Sequence, residues 1–408
     1  MKRVVVTGVG VVSPLGASPE AFFDALARGR SGVRRLEGRF CERLACPIGA
    51  PAVFDAQGHF DAPRLRMLDR VSQFALVATK DALAQSGGAL DGIDPARAGV
   101  FIGTGSGGGA SADEGYWTLY GERSDRLHPF SVLQAMSNAP AAWIGLEHKI
   151  TGPNLTFSTA CSSSAVAIGE AARRIRHGEA DVMLAGGTEA PLNFGSLKAW
   201  EAMRTLAAAD PEDPGASCKP FAKDRNGLVL GEGAAMLVLE SRDYALARGA
   251  CVHAEIAGYG LATDAGHLTR PSVEGQAAAM KAALADAGFG PDDIDYINAH
   301  GTGTQANDAV ETAAIKAVFG ERARAIPVSS TKSMHGHLLG AAGAVELAAA
   351  ILALGQGVVP PTINLRRPDP ECDLDYVSDG ARSIPLRAVL SSSFAFGGTN
   401  AVLVASRR

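Results

Sequence analysis

Cysteine is scarce in this sequence and forms no recognisable framework. The 408 residues include 6 cysteines, and no two of them form a CxxC pair. Scattered cysteines of this kind exclude a disulfide scaffold and a zinc ribbon, so any functional thiol acts singly. Long hydrophobic runs are missing as well. No apolar segment reaches the ~20 residues of a membrane-spanning helix, so the sequence predicts no membrane insertion.

An N-terminal targeting signal is also lacking. The segment Val4–Val12 is apolar, but Gly8, Gly10 and Pro14 interrupt this region and no cleavage site follows. This pattern favours a buried β-strand over a secretory signal peptide. We therefore expect a cytoplasmic protein.

An excess of positive charge is the third absence. The formal net charge is −5, so no global basic field predicts a nucleic-acid partner. Aromatic residues make up only 6% of the chain, yet 47% of it is hydrophobic and 48 residues are glycine. This composition predicts tight packing rather than disorder. A chain of this length has room for two domains or one duplicated domain.

The apolar segments alternate between strand and helix patterns, which predicts an α/β fold with sheets covered on both faces. A weak internal repeat links residues 158–161 with residues 330–333, since each follows a strand and precedes a small-residue helix. The repeat predicts two similar halves whose equivalent helix ends meet at one centre. Predicted strands cover 4–12, 99–103, 180–187, 231–240, 254–260, 294–299, 327–331, 390–393 and 401–404; predicted helices cover 19–27, 69–86, 165–175, 273–287, 308–319 and 338–354; and 210–226 is a predicted surface loop.

Cys161 lies at the start of one predicted helix. Small residues surround it, and Ser162, Ser163 and Ser164 suit the first helical turn, where hydroxyls meet free amides. The positive end of a helix dipole favours a thiolate, so we expect Cys161 to be nucleophilic at neutral pH. A buried structural cysteine is the alternative.

Two further strand ends carry reactive side chains. His300 follows one strand, and the segment 332–337 follows another, with Glu346 on the next helix. A nucleophilic cysteine needs imidazole or cationic neighbours, which these turns supply. Alternatives remain: His300 as a core histidine, His335 and His337 as a metal pair without a third ligand, and Lys332 as a buried lysine paired with Glu346.

A glycine fingerprint at Gly103, Gly105 and Gly108 follows the predicted strand 99–103. In a dinucleotide-binding unit it would open a helix and precede an acid about 20 residues later, near Glu122. The polar and aromatic residues that follow make a poor crossover helix. Close backbone packing is the simpler interpretation.

Four ordered motifs resemble those of one family. They are TACSS at 159–163, HGTGT at 300–304, KSMHGH at 332–337 and FAFGGTN at 394–400. Together they look like the signature set of type II β-ketoacyl-acyl-carrier-protein synthases. The resemblance implies a thiolase fold, with duplicated halves (1–250 and 251–408) in a five-layered αβαβα sandwich. It also implies a homodimer and a condensation that yields 3-oxoacyl thioesters.

The resemblance implies roles for five residues at the reaction centre. Cys161 would take an acyl chain from a carrier-protein thioester. His300 and His337 would hold the malonyl carbonyl and stabilise the enolate formed on decarboxylation. The amides of Cys161 and Phe396 would form the oxyanion hole, and Phe396 would gate the acyl pocket. Lys332 would set the local charge.

Other implied roles surround that centre. Glu346 would support the lysine, Thr302 and Thr304 would bind the pantetheine arm, and Ser106 would line the acyl pocket. An acyl carrier protein, acyl- or malonyl-loaded, is the implied partner, and its implied docking residues are Arg66, Arg126 and Arg204. No cofactor is implied, but the family can hold a structural monovalent cation near Asn298, Glu346 and Ser393.

Four departures from the common fatty-acid enzyme bear on the substrate. The serines after Cys161 resemble polyketide-type synthases, His335 stands in place of a threonine, and Ala395 replaces a glycine. Ser106 replaces a larger aliphatic residue. A specialised synthase serving a nodulation-factor, polyene or polyketide pathway is therefore an alternative. Three alternatives are less consistent with the retained cysteine and two histidines. They are a non-catalytic partner subunit, a thiolase acting on coenzyme A thioesters and a nicotinamide enzyme.

Overall fold

The computed structural model describes residues 1–407. Its strands are β1 Val4–Val12, β2 Arg34–Arg35, β3 Ile48–Gly49, β4 Ala98–Gly103, β5 Asn154–Phe157, β6 Val182–Glu189, β7 Gly233–Ser241, β8 Ala254–Thr263, β9 Tyr296–Asn298, β10 Val328–Ser329, β11 Val358–Val359, β12 Arg382–Ser383, β13 Ala388–Phe394 and β14 Thr399–Ser406. The helices are α1 Pro19–Ala27, α2 Ala56–His59, α3 Ala62–Leu65, α4 Arg70–Ser86, α5 Gly109–Tyr116, α6 Ser131–Ala135, α7 Ala139–His148, α8 Ser163–Arg176, α9 Phe194–Ala202, α10 Arg242–Ala247, α11 Val273–Ala287, α12 Gln305–Phe319, α13 Lys332–His335 and α14 Ala342–Gln356.

The predicted duplication is visible in the strand order. The ten-stranded sheet runs β10-β9-β13-β14-β8-β1-β7-β6-β4-β5. Within each half, counted in chain order from the outer edge, the strands stand third, second, fourth, fifth, first. Each half also has parallel pairs at its outer edge and antiparallel pairs toward the centre. The two halves therefore repeat one topology.

Helices separate and cover the two halves in three layers. The central pair α8 and α14 lies in one apolar cluster with residues of both halves. On the outside of the first half, α4 and α7 pack in a second cluster, and α11 and α12 pack in a third on the second half. Together the layers form the αβαβα sandwich that the sequence motifs predict.

The two halves meet at β1 and β8. These strands pair only at Val5 with Glu255 and at Val6 with Ala254, so the contact between the halves depends mainly on the central helices. The predicted boundary at residue 250 lies between α10 and β8 and stays a prediction. The glycines of β1 serve packing, since a Cβ at Gly8 would lie 2.0 Å from the Ala82 carbonyl oxygen of α4.

The predicted surface loop at 210–226 is wrong for much of its length. Residues 215–218 and 220–222 are buried, and Arg225 is only 3% exposed. The segment passes beneath the loop that carries His300. The Phe221 amide donates to the Asp308 carboxylate at 2.8 Å, so a buried carboxylate satisfies backbone that the polar composition had placed in solvent.

One helical segment is long and apolar enough to span a membrane by composition. It is Leu339–Gln356, with a mean hydropathy of 1.6, and 83% of it is buried inside the protein. This segment contains the central helix α14, and the core of the αβαβα sandwich explains its composition.

Candidate active site

Cys161 lies in a tight turn between β5 and α8, as the sequence predicts. A short 3-10 turn spans Ala160–Ser162, and Ala160 has a φ of +50°, a left-handed conformation uncommon for alanine. Strand β4 packs directly on the first turn of α8, because a Cβ at Gly103 would lie 2.2 Å from the Ser164 nitrogen. The thiol is 6% exposed at residue level and faces an internal cavity.

Ser163 and Ser164 lie in the first turn of α8 and their hydroxyls accept hydrogen bonds from backbone amides, as predicted, but these amides lie outside α8: the Thr159 amide donates to Ser163 Oγ at 2.9 Å. Ser162 and Ser163 bond back to carbonyls of Thr159 and Ala160. The Ser164 hydroxyl accepts from the Ala344 amide of α14 at 2.9 Å. The serines thus brace the turn and connect it to the other half of the chain.

The backbone amides of the glycine fingerprint are not free to bind an anion. The Gly105 and Ser106 amides donate to the Glu189 carboxylate at 2.5 and 2.9 Å, and the Gly340 amide donates to it at 2.9 Å. A carboxylate of the chain therefore occupies the amides that a pyrophosphate would need. This excludes the dinucleotide alternative and confirms close packing.

His300 is held by a buried carboxylate that the sequence analysis missed. The His300 and Gly301 amides donate to Glu311 at 2.7 and 2.8 Å. Burial raises the pKa of Glu311 to about 7. The sequence feature that could have identified Glu311 is its position on α12, the helix that directly follows the HGTGT loop.

The two histidines present their Nε2 atoms to the same space. The Leu339 amide donates to His337 Nδ1 at 3.1 Å, so the proton of a neutral ring is on Nε2, which is buried without a protein partner. Lys332 Nζ lies 3.3 Å from His300 Nδ1 and donates to it, which also leaves the His300 proton on Nε2. Both rings are donors toward the centre.

Cys161, His300 and His337 converge. The sulfur and one nitrogen of each ring all lie within 4.8 Å of one another. Burial lowers the pKa of both histidines, and the Lys332 charge lowers it further, so both imidazoles are neutral. Three such atoms can also ligate a metal ion. The alternative of a metal pair at His335 and His337 fails, because both ring nitrogens of His335 are hydrogen-bonded to Thr331 and Gly336.

Burial of Cys161 opposes the expected favouring of a thiolate at neutral pH. Burial raises the pKa of the thiol to about 12. The Lys332 charge and the Phe396 amide lower the pKa, but burial outweighs them. The effect of the helix dipole stays a prediction, and the sequence does not reveal how deeply the sulfur is enclosed.

Lys332 and Glu346 form a buried ion pair, as the sequence predicts. Their side chains are 1% and 0% exposed. Burial raises the pKa of Glu346, and the ammonium opposes that rise. The Lys332 ammonium of this pair lies 3.3 Å from His300 Nδ1, on the side of the ring away from the cavity.

Three buried oxygens near this pair lack partners within residues 1–407. They are Asn298 Oδ1, Glu346 Oε2 and Ser393 Oγ. A carboxylate, an amide oxygen and a hydroxyl are ligands that a hard monovalent cation accepts, so the residues fit the cation that the family resemblance implies.

Two cavities open from Cys161. The first, of about 230 Å³, is lined by His300 and His337 together with Thr302 and Thr304. The hydroxyls of these threonines lie 2.8 Å apart. The second, of about 220 Å³, is lined by Ser106, whose hydroxyl donates to Glu189 at 2.6 Å and is therefore not free.

The proposed docking arginines lie on the surface. Arg66, Arg126 and Arg204 are exposed, and within the described part of the chain none of them forms an ion pair. Arg204 lies between Met203 and Thr205, which both line the first cavity. Of the three, it is the residue adjacent to the mouth of that cavity.

Two domain models of one protein family match most of the chain. The model of the β-ketoacyl synthase N-terminal domain matches residues 1–245, and that of the C-terminal domain matches residues 253–366. The chain belongs to the β-ketoacyl synthase family. This ketosynthase is 44% identical over 402 residues to Nodulation protein E of Rhizobium meliloti strain 1021, with 98% of both chains covered.

The ketosynthase is also similar to a 3-oxoacyl-[acyl-carrier-protein] synthase and to a polyketide ketosynthase of known structure. It is 42% identical over 412 residues to 3-oxoacyl-[acyl-carrier-protein] synthase 2 of Coxiella burnetii, with 100% of this chain and 99% of the relative covered. A solved structure of a type II PKS acyl-carrier protein in complex with its ketosynthase bound to the hexaketide matches with a TM-score of 0.92 and 35% identity, covering 99% of both chains. The chain is a condensing enzyme, as the motifs predict.

Proposed function

We propose that the ketosynthase catalyses decarboxylative Claisen condensation of an acyl-enzyme with malonyl-acyl-carrier-protein. The observation that carries this proposal is the convergence of one thiol and two neutral Nε2–H donors within 4.8 Å. Thiolate chemistry needs the first, and stabilisation of an enolate needs the others.

In the first half-reaction, the Cys161 sulfur attacks the thioester of the incoming acyl group. The carrier-arm thiolate leaves and takes up the proton that Cys161 loses. The amides of Cys161 and Phe396 stabilise the tetrahedral oxyanion. The Phe396 amide already donates a hydrogen bond to the sulfur. The fixed charge of Lys332 favours the thiolate form.

In the second half-reaction, the malonyl thioester carbonyl accepts hydrogen bonds from His300 and His337. Loss of carbon dioxide leaves an enolate, whose charge these donors stabilise in a water-poor cavity. The enolate carbon attacks the acyl-Cys161 carbonyl, and the thiolate leaves as a 3-oxoacyl thioester forms on the carrier. Neutral histidines suit this role, because an imidazolium would stabilise the malonyl carboxylate and oppose its loss.

The first cavity supports an acyl carrier protein as the partner. Thr302 and Thr304 place two hydroxyls in this cavity, where they can hydrogen-bond the amides of a pantetheine arm. The unpaired surface arginines Arg66, Arg126 and Arg204 offer charges to an acidic carrier. A monovalent cation held by Asn298, Glu346 and Ser393 would fix the charge balance behind Lys332.

An exposed apolar surface supports a homodimer. Tyr120, Val132 and Leu155 are 77%, 74% and 46% exposed, and Leu155 is on the edge strand β5. Unpaired edge strands and exposed apolar side chains can associate with a second copy of the chain.

A specialised polyketide or nodulation-type substrate is the second candidate, which the similarity to Nodulation protein E favours.

Intact mass measurement tests the proposal. The protein is mixed with carrier-protein thioesters of different acyl length and oxidation state. We expect one acyl adduct, absent from the Cys161→Ala variant, and the preferred acyl mass names the substrate class. A folded protein that forms no adduct with any acyl group would contradict the proposal and favour a subunit that needs a partner.

A further inference from the structure

Trp200 lies where the two cavities meet. The first cavity contains the histidines and the two threonines, and the second contains Ser106. The cavities share three lining residues, Cys161, Trp200 and Phe396. An acyl chain attached to Cys161 that enters the second cavity therefore runs beside both aromatic rings.

The rings of Trp200 and Phe396 are stacked. Their centroids are 5.9 Å apart and their planes are inclined by 22°. An offset stack of this kind contributes a modest stabilisation beyond burial and holds Phe396 over the boundary. The two rings have different freedom to move, because their backbones differ.

Phe396 is on the movable side of the passage. It precedes Gly397 and Gly398, whose φ angles are +86° and +77°, so the segment uses conformations that glycine adopts readily. Trp200 is on the fixed side, on α9. The Asn193 side chain caps this helix by accepting from the Ser196 amide at 3.0 Å, and Leu197 anchors it at 3% exposure.

We propose that Trp200 is a specificity-determining residue that sets the width of the acyl passage. When Phe396 swings away, the indole remains and leaves a flat slot beside the thioester. A slot of this shape admits a straight acyl chain and excludes one branched next to the carbonyl. The inference rests on the proposed function, since it concerns the acyl group that Cys161 accepts.

The test compares acylation of Cys161 by butyryl- and isobutyryl-carrier-protein, which have equal carbon number and differ in branching. The ratio of the two rates is measured by single-turnover mass spectrometry for the wild type, Trp200→Ala and Trp200→Phe. We expect the wild type to prefer butyryl, W200A to reduce that preference about tenfold, and W200F, which keeps a ring, to retain it. Trp143→Phe, on the outer helix α7, is the matched control.

A second measurement does not depend on W200A folding. In a Trp117→Phe/Trp143→Phe variant, Trp200 is the sole tryptophan, and its emission should change when Cys161 is acylated. An unchanged ratio in folded W200A, or unchanged emission on acylation, would overturn the role of Trp200 alone. A wild type without any adduct would instead overturn the proposed function.

Discussion

Removing the buried charge of Lys332 provides a strong test of the site. In Lys332→Met the stem is retained and the ammonium is lost, so Glu346 is left at 0% exposure without its partner. Breaking a buried ion pair from one side costs about 3–5 kcal/mol. At the lower end of the sensitivity for larger domains, that corresponds to a decrease in Tm of roughly 6–10 °C.

The pH dependence of this cost has a definite sign. Burial raises the pKa of Glu346 above its value in the unfolded chain, and removing Lys332 raises it further. The folded K332M protein then binds the proton more tightly than the unfolded protein does. Its stability therefore falls as pH rises through the folded pKa, and the Tm difference from the wild type should be larger at pH 8 than at pH 5.

Thermal unfolding of the wild type, K332M and the double variant Lys332→Met/Glu346→Leu completes the test. Replacing both charges with apolar side chains should restore most of the lost stability, because no buried charge is left unpaired. Acylation should fall at least tenfold in both variants, since the thiol loses the charge that lowers its pKa. A Tm loss that is independent of pH, or equal in the single and double variants, would refute the reasoning.

Further predictions follow from the site. Cys161→Gln should abolish condensation while malonyl decarboxylation continues, measured as carbon dioxide release; retained condensation would contradict the mechanism. Adding His337→Ala to C161Q should lower that release by about 10²–10³-fold, the usual effect of losing an oxyanion donor, and an unchanged rate would exclude His337 from the step. Alkylation of Cys161 by iodoacetamide should rise about tenfold per pH unit with no plateau below pH ~9, because burial raises the thiol pKa; a plateau near neutrality would show a preformed thiolate. His335 Nδ1 lies 2.8 Å from the carbonyl of Gly336, the residue before His337, so this hydrogen bond should help to position His337. His335→Asn, which keeps a donor at that position, should retain more condensation than His335→Gln, and the reverse order would contradict that role.

Much of the fold was accessible from local pattern. The predicted helix at 273–287 coincides with α11, and β1 has the predicted bounds, because apolar periodicity and Gly or Ser boundaries specify such elements locally. The strand at 294–299 shortens to Tyr296–Asn298, and the region 210–226 is buried rather than exposed. That burial depends on the Asp308 carboxylate, which is distant in sequence.

The candidate site was only partly accessible in the same way. The motifs placed Cys161, His300, His337 and Lys332 together, and the structure does so too. The high thiol pKa, the carboxylates of Glu189 and Glu311, and the position of Trp200 between two cavities depend on three-dimensional enclosure. No spacing rule in a single sequence encodes how the folded chain encloses these groups, so only the structure shows these features.

The Glu189 carboxylate has a consequence for how the protein can be divided. It accepts amides from Gly105 and Ser106 in the first half and from Gly340 in the second, just after His337. One side chain thus couples the lining of the second cavity to the turn that follows His337. A chain cut near residue 250 would have to reassemble around this carboxylate before either half could present its part of the site.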